Sequence, residues 1–177
     1  MSEVELRVLT PADASVFRDL RLRALQESPE AFGSSYEEDA ARPLDEIADR
    51  LRPMREPTGR VTIGAFMGQR LVGMAACIQA THLKARHKAD IYAMYVAPEA
   101  RGRGVGRELL ARLIEEAREW QQVEWINLTV VERGTVARRL YAAAGFQEFG
   151  REIDGLRQGA IKDTVLYLTL HLVGRGA

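Results

Sequence analysis

The chain of 177 residues carries 25 Lys and Arg and 25 Asp and Glu residues, so we expect one neutral domain over residues 1–177. A neutral chain with 46% hydrophobic residues is neither disordered nor a general nucleic-acid binder, because nonspecific nucleic-acid binding needs excess positive charge. The lone Cys77 excludes an internal disulfide, and the longest uncharged stretch, residues 71–83, falls short of the about 20 residues that a transmembrane helix needs.

The first part of the chain predicts one strand and two helices. A short strand over residues 6–9 precedes a helix that begins at Thr10-Pro11, with Asp13 in the position of a capping partner. Residues 30–42 read as a loop with three consecutive acids. Apolar residues recur with helical spacing over residues 43–51, which predicts the second helix.

The middle of the chain changes to the period of a β-strand. Apolar residues alternate over residues 61–67, Gly68-Gln69 is a plausible hairpin turn, and residues 71–78 return as a strand. Residues 89–96 form a third strand, which Pro98 ends. A glycine-rich turn then leads into a long amphipathic helix.

The last part of the chain alternates strands and helices. We predict a strand over residues 125–131, a helix over 135–144 that Gly145 ends, and strands over 146–153 and 163–173. The complete order predicts an α/β (α+β) fold with a mixed sheet of about seven strands and helices on both faces.

The glycine-rich turn is the segment most informative about function. Its glycines let several backbone N–H groups converge, and the following helix adds its positive N-terminal end, so the turn predicts a site for a phosphate-bearing ligand. Arginines add formal charge beside these amides. The candidate residues are Arg101, Gly102, Arg103, Gly104, Val105, Gly106 and Arg107.

Three readings other than a plain turn compete for this loop. A Walker A loop needs Lys-Ser/Thr after the last glycine, where this chain has Arg107-Glu108. A Rossmann fingerprint has GxGxxG spacing after the first strand of its unit, whereas here the spacing is GxGxG in mid-chain. The third reading is a pyrophosphate loop of the form Q/R-x-x-G-x-G/A, which Arg101, Gly104 and Gly106 match without a gap.

Two further segments make the chain resemble the GNAT superfamily of acetyl-CoA-dependent N-acetyltransferases. Residues 94–100 are similar to the stretch that leads into this loop in that superfamily. Residues 137–146 fit its A-x-x-L-Y-x-x-x-G-F signature at the expected distance. The predicted order of elements is also that of the GNAT fold, so the resemblance covers nearly the whole chain.

The resemblance implies a mostly antiparallel sheet in which the strand ending at Val96 splays from the strand ending near Val131. The pantetheine arm of acetyl-CoA is expected in that opening, beside Met94, Tyr95 and Val96, with its pyrophosphate on the glycine-rich loop. Tyr141 is expected to protonate the departing CoA thiolate. The superfamily commonly has Asn at the position of Gly134, so this chain lacks one polar contact to pantetheine.

The resemblance does not identify the residue that takes the proton from the acceptor amine. A lysine-like amine has a pKa of about 10.4, so it must lose a proton before it attacks. The candidates are Glu38, Asp90 and Glu132, or a water molecule that Tyr92 orders. His82 and His87 have no clustered partner, so no metal is expected.

The acceptor itself is expected between residues 32–39 and residues 155–163, which flank the cleft in this fold. The acids Glu37, Glu38 and Asp39 hint at a cationic acceptor, and both a small amine and a protein amine remain open. No nucleic-acid or membrane partner is expected, and a homodimer is a tendency of the superfamily. The N-terminus lacks the apolar core of a signal peptide, so a cytoplasmic location is expected. The alternative function is a non-catalytic acyl-CoA-binding or sensing module.

Overall fold

The structure, a computed structural model, describes residues 4–172. Seven strands form its sheet: β1 Val4–Val8, β2 Arg60–Met67, β3 Arg70–Gln79, β4 Lys88–Val96, β5 Trp125–Val131, β6 Gln147–Gln158 and β7 Ile161–His171. Five α-helices lie between them: α1 Ala14–Glu27, α2 Tyr36–Ala40, α3 Leu44–Arg50, α4 Val105–Arg118 and α5 Thr135–Ala143.

The strands form one sheet in the order β1-β2-β3-β4-β5-β7-β6. All neighbouring pairs are antiparallel except β4 and β5, which are parallel. The predicted mixed, mostly antiparallel sheet of seven strands is therefore confirmed. The single parallel pair lies at the centre, where the chain crosses over through α4.

Helices cover both faces of this sheet. Helix α4 packs against β2 and β3, with Leu109 and Val105 so close to Gly73 that a Cβ there would lie 3.2 and 3.4 Å from their methyl carbons. Helix α1 contacts β3 and α3 on the other face. The predicted apolar stripe of α4 is buried at Leu109, Leu110 and Leu113, and each such leucine contributes about 1.5–3 kcal/mol relative to exposure.

One helix lies inside the segment that we predicted as a loop. Helix α2 begins after Ser35, whose hydroxyl accepts a hydrogen bond from the Glu38 amide at 3.2 Å, while the Glu38 carboxylate accepts one from the Ser35 amide at 2.7 Å. This capping box is visible in the sequence as Ser-x-x-Glu, so the signal was present. The predicted cap at the start of the chain is confirmed, since the Thr10 amide donates to Asp13 at 2.8 Å.

The predicted connection over residues 155–163 is wrong, because most of it belongs to a hairpin. Strand β6 continues to Gln158 and β7 begins at Ile161. A bulge after Glu152, with Asp154 at a φ of +59°, interrupts the alternation that a sequence pattern would need. Val173, the last residue of the predicted final strand, lies outside the described residues. Within residues 4–172, no helix combines the length and apolar character needed to cross a membrane.

Candidate active site

Strands β4 and β5 pair only at their first residues. Their parallel register joins Lys88 to Trp125, Ala89 to Ile126 and Asp90 to Asn127. Beyond this point the two strands diverge, and a cleft of about 1320 Å³ opens between them. Backbone groups along the diverging edges have no partner across the gap, so they are free to bind a ligand. The expected splayed pair is confirmed.

A bulge in β4 turns part of this strand toward the cleft. Met74 of β3 is in register with Tyr95 and Ala76 with Tyr92, so Ala93 and Met94 together occupy the space of one residue. Ala93 has a φ of +55°, a conformation that residues other than glycine adopt rarely. Both bulged residues line the cleft. No alternation or glycine in the sequence marked this bulge.

The glycine-rich loop lies at one end of the cleft. Gly102 and Gly104 have φ values of +73° and +82°, which favour glycine, and Gly104 is the N-cap of α4 without a capping side chain. The first N–H groups of the 14-residue helix α4 are therefore left for a ligand. A Cβ on Gly106 would lie 3.5 Å from Leu140, so this loop also packs against α5.

The predicted cofactor-binding residues are brought together with one exception. Met94, Tyr95, Val96 and all loop residues except Arg103 line the cleft. Arg101 donates from Nε to the Val96 carbonyl at 2.9 Å. Within the described residues, no ion pair joins Arg101, Arg103 or Arg107 to a carboxylate, although Arg101 interacts electrostatically with Glu27. The side chain of Tyr95 turns away to donate to Glu27.

An ion-pair network ties the start of this loop to α1. Arg23 donates to the Glu99 carboxylate at 2.8 and 2.9 Å and also pairs with Glu27. Hydrogen bonds from Arg23 lower the pKa of Glu99 to about 2. Arg70 adds a second cation 2.9 Å from Glu99. The turn that precedes the glycines is thus held to α1. This helix lines the end of the cleft away from the glycine-rich loop, which we call the far part of the cleft.

Tyr141 reaches the same cleft from α5. Its side chain is 5% exposed and packs edge-on against Phe146, with ring centroids 5.9 Å apart. Burial raises the pKa of Tyr141 to about 12, so the hydroxyl stays protonated at neutral pH. Among the described residues, none forms a hydrogen bond with this hydroxyl, which leaves its proton available to a molecule in the cleft.

Gly134, where the superfamily commonly has Asn, is the N-cap of α5. A Cβ at this position would lie 3.1 Å from the Val131 carbonyl oxygen, so a larger residue would require a local shift of the backbone. Arg133, its neighbour, donates to Asp163 at 2.6 and 2.8 Å. The local backbone thus fits glycine, and this arginine is held by a carboxylate.

Two of the candidate bases are engaged away from the cleft. The Glu38 carboxylate caps α2, and the Glu132 carboxylate accepts from Arg151 at 3.2 Å. Neither residue lines the main cleft, although Glu38 lines an adjoining cavity of about 490 Å³. The structure therefore gives both acids a local structural role.

Asp90 and Tyr92 lie on one face of β4, in neighbouring rows across the sheet. The first row contains Arg60, Ile78 and Asp90, and the second contains Thr62, Ala76 and Tyr92. Burial raises the pKa of Asp90, and a hydrogen bond from Asn127 opposes this shift. Tyr92 is 53% exposed and lines the cleft, whereas Asp90 does not line it. Within residues 4–172, no group of three His, Cys, Asp or Glu side chains could hold a metal ion.

The far part of the cleft differs from the expected acceptor site. Phe32, Ser34 and Asp39 line it, as predicted, but no residue of 155–163 does, and several of those line the adjoining cavity. Arginines that the sequence analysis did not single out complete this part of the cleft: Arg18, Arg21, Arg42, Arg50 and Arg60. They come from separate segments, so only the fold brings them together.

The fold and a large part of the chain match known acetyltransferases. The model of the Acetyltransferase (GNAT) family matches residues 21–146. An acetyltransferase of the GNAT family from Streptococcus pneumoniae is 20% identical, with a TM-score of 0.87 over 96% of this chain and 100% of that chain. The protein yncA from Salmonella typhimurium, solved with its cofactor acetyl-CoA, is 20% identical, with a TM-score of 0.83 over 99% and 98%.

A third solved structure is similar over comparable lengths. It is a ribosomal-protein-alanine N-acetyltransferase from Brucella melitensis, 24% identical to this chain, with a TM-score of 0.76. The match covers 95% of this chain and 99% of that one. These likenesses in structure show the same fold over nearly the full length of the chain.

Proposed function

The chain belongs to the GNAT family of acetyltransferases, and from that premise we propose that it transfers an acetyl group from acetyl-CoA to the nitrogen of a primary amine. The observation that carries this proposal is the splayed cleft, which has a phosphate-binding loop at one end and the Tyr141 hydroxyl on its wall. The similar enzyme from Brucella melitensis is named for acetylation of a nitrogen, which supports an amine as the acceptor. A cytoplasmic location belongs to the same proposal, since the lone Cys77 cannot form an internal disulfide.

The residues of the cleft suit a CoA thioester. Acetyl-CoA supplies an activated acetyl group together with a pyrophosphate. The amides that follow Gly104 and the charges of Arg101 and Arg107 favour the pyrophosphate, because a helix N-terminus and unpaired arginines both attract anions. Unpaired backbone groups of Ala93 and Met94 are available to the pantetheine arm and to the carbonyl oxygen of the thioester.

Tyr141 acts on the departing sulfur in this proposal. Its hydroxyl donates a hydrogen bond to the thiolate as the carbon–sulfur bond breaks, and the buried ring fixes the direction of that donor. The absence of a protein partner within the described residues means that no existing hydrogen bond must be broken first. The rest of the acceleration comes from holding the amine beside the activated carbonyl.

Asp90 acts on the acceptor amine. A primary amine with a pKa of about 10.4 is mostly protonated at neutral pH, so a base must take a proton. Asp90 is more basic than an exposed carboxylate because burial raises its pKa. Tyr92 separates Asp90 from the cleft on the same strand face, so a water molecule held by Tyr92 carries the proton between the amine and the carboxylate.

The experiment that tests this function measures release of CoA thiol from acetyl-CoA across a panel of primary amines. We expect turnover with at least one class of amine, and mass spectrometry of the product should show one added acetyl group on nitrogen. A reaction without amine measures background hydrolysis. Binding of acetyl-CoA without acetylation of any amine or peptide in the panel would instead indicate a non-catalytic acyl-CoA-binding module.

A further inference from the structure

The far part of the cleft carries much more positive than negative charge. Five arginines line it, which we call the acceptor-side arginines: Arg18 and Arg21 of α1, Arg42 before α3, Arg50 of α3 and Arg60 of β2. Of the described residues that line the cleft, two are acids, Glu30 and Asp39. Glu30 interacts electrostatically with Arg133, so Asp39 is the acid that faces these arginines.

Nearby carboxylates neutralise only part of this charge. Asp39 accepts from Arg21 at 2.8 Å and from Arg42 at 3.3 Å. Glu46 pairs with Arg42 and, at 3.0 Å, with Arg50. Three of the five arginines therefore share two carboxylates, and within the described residues Arg18 and Arg60 have none. The acids that hinted at a cationic acceptor do not supply a negative surface here, because Asp39 is buried and already paired.

Two of the acceptor-side arginines, Arg18 and Arg60, form no ion pair with a carboxylate among the described residues, and Arg60 also donates to Met54 Sδ at 3.4 Å. Arg18 donates from Nη2 to the Ala40 carbonyl at 2.7 Å. Arg60 donates to the carbonyls of Asp49 and Arg52 at 3.0 and 3.2 Å. These bonds fix the two guanidinium groups without neutralising them. A partly buried cation without a counter-ion is unfavourable, and a bound anion would offset that cost.

Unsatisfied hydrogen-bond donors accompany this excess charge. Arg18 Nε, Arg21 Nη1 and Arg42 Nε are buried and have no acceptor within the described residues. Buried N–H groups are usually paired, so three such groups at the junction of α1, α2 and α3 mark a region that the protein alone does not satisfy. Arg18 has both a buried unsatisfied donor and, among the described residues, no carboxylate partner.

We propose that the acceptor is a small amine that also carries an anionic group, a carboxylate or a tetrahedral oxyanion, which Arg18 and Arg60 bind. This inference rests on the proposed function and names its substrate class. Arg60 and Asp90 lie in one row of the sheet, two strand spacings or about 10 Å apart along that row. An amine near Asp90 and Tyr92 can therefore belong to the same small molecule as an anion near the arginines.

The test compares acceptors that differ only in their charge. The panel contains the L-amino acids, ω-amino acids of increasing length and aminoalkylphosphonates, each beside its uncharged carboxamide or alkylamine counterpart, together with a lysine peptide. We expect kcat/KM to favour the anionic member of at least one pair. The ω-amino acids report the separation of amine and anion, and the phosphonates distinguish a tetrahedral oxyanion from a carboxylate.

Variants locate that preference in the two arginines. Arg18→Gln and Arg60→Gln should each lower kcat/KM for the preferred anionic acceptor by about 10- to 100-fold, the range for a hydrogen bond between charged groups. With the uncharged counterpart as acceptor, each variant should change kcat/KM by less than about twofold. Arg52→Gln is the matched control. This substitution removes the same charge nearby, and Arg52 does not line the cleft. Unchanged acetyl-CoA affinity confirms that each variant is folded.

Several results would overturn this inference. Equal acetylation of charged and uncharged acceptors would do so, and so would a preference for the lysine peptide. A loss of kcat/KM in Arg18→Gln and Arg60→Gln that is the same for both members of a pair would also overturn it. If no amine is acetylated, the proposed function fails separately. Calorimetry with CoA and N-acetylated amino acids then decides the inference: binding of the acids but not of their amides supports it, and binding of neither refutes it.

Discussion

Replacement of Tyr141 with Phe tests the proposed chemistry most directly. Burial raises the pKa of Tyr141 to about 12, whereas a thiol has a pKa of about 8.5. Because the phenol is the weaker acid, its hydroxyl helps the thiolate leave mainly as a hydrogen-bond donor. A hydrogen bond to a charged group is worth about 1.5–3 kcal/mol, so kcat should fall by about 10- to 150-fold.

The same substitution should leave the fold and donor binding unchanged. Among the described residues, the hydroxyl has no partner that the change would strand, and the edge contact with Phe146 is kept. We expect the free energy of unfolding to change by less than about 0.5 kcal/mol. The assay is single-turnover CoA release with saturating acetyl-CoA and amine, and calorimetry measures donor affinity in parallel.

Tyr167→Phe serves as the matched control. The Tyr167 hydroxyl donates to Glu152 at 2.6 Å and does not line the cleft, so this variant should keep wild-type turnover. A donor with a more acidic thiol needs less help in leaving and should reduce the loss in Tyr141→Phe. A rate for Tyr141→Phe equal to that of the wild type, with chemistry rate-limiting, would remove Tyr141 from the mechanism.

Three other changes test the rest of the site. Acetyl-CoA at a hundredfold excess over its Kd should stabilise the protein by about 2.7 kcal/mol in a thermal scan, and a shift with ATP alone would contradict the assignment of the loop. In calorimetry, Gly104→Asp should bind acetyl-CoA at least about tenfold more weakly than Gly104→Asn. Asp and Asn both tolerate the left-handed backbone at this position, so the difference in affinity reports the effect of the charge beside the pyrophosphate. Asp90→Asn should slow transfer and remove the acidic limb of the profile of kcat/KM against pH. A base works only when it is deprotonated, and burial places the pKa of Asp90 above its usual value. An unchanged acidic limb would exclude Asp90 as the base.

Local patterns in the sequence predicted the features that residues close together in the chain determine by themselves. The leucines of α4 repeat at helical spacing because one face of that helix is buried, and the glycines of the loop mark left-handed backbone. These signals were sufficient for the order of the elements along the chain and for the position of the glycine-rich loop before α4. The capping box of α2 was equally local, but this helix has five residues, which are too few to show helical periodicity.

Other features depend on contacts that no local pattern encodes. The bulge at Ala93 and the long β6–β7 hairpin arise from register between strands, and β-branched or alternating residues cannot reveal where a register shifts. Arg18 of α1 and Arg60 of β2 line the same cleft although they lie more than forty positions apart in the sequence. The acceptor end of the cleft therefore became visible only in the folded chain.

The unpaired arginines beside the glycine loop also affect how a donor arrives. The chain as a whole is neutral, with equal numbers of acidic and basic residues, so the field that a distant polyanion meets is that of a dipole and not of a net cation. Arg101, Arg103 and Arg107 contribute positive charge to that field beside the glycine-rich loop. At low ionic strength this charge orients an approaching CoA ester and quickens the encounter. Salt shortens its reach to about 8 Å at physiological strength, so added salt should slow association much more than it hastens release.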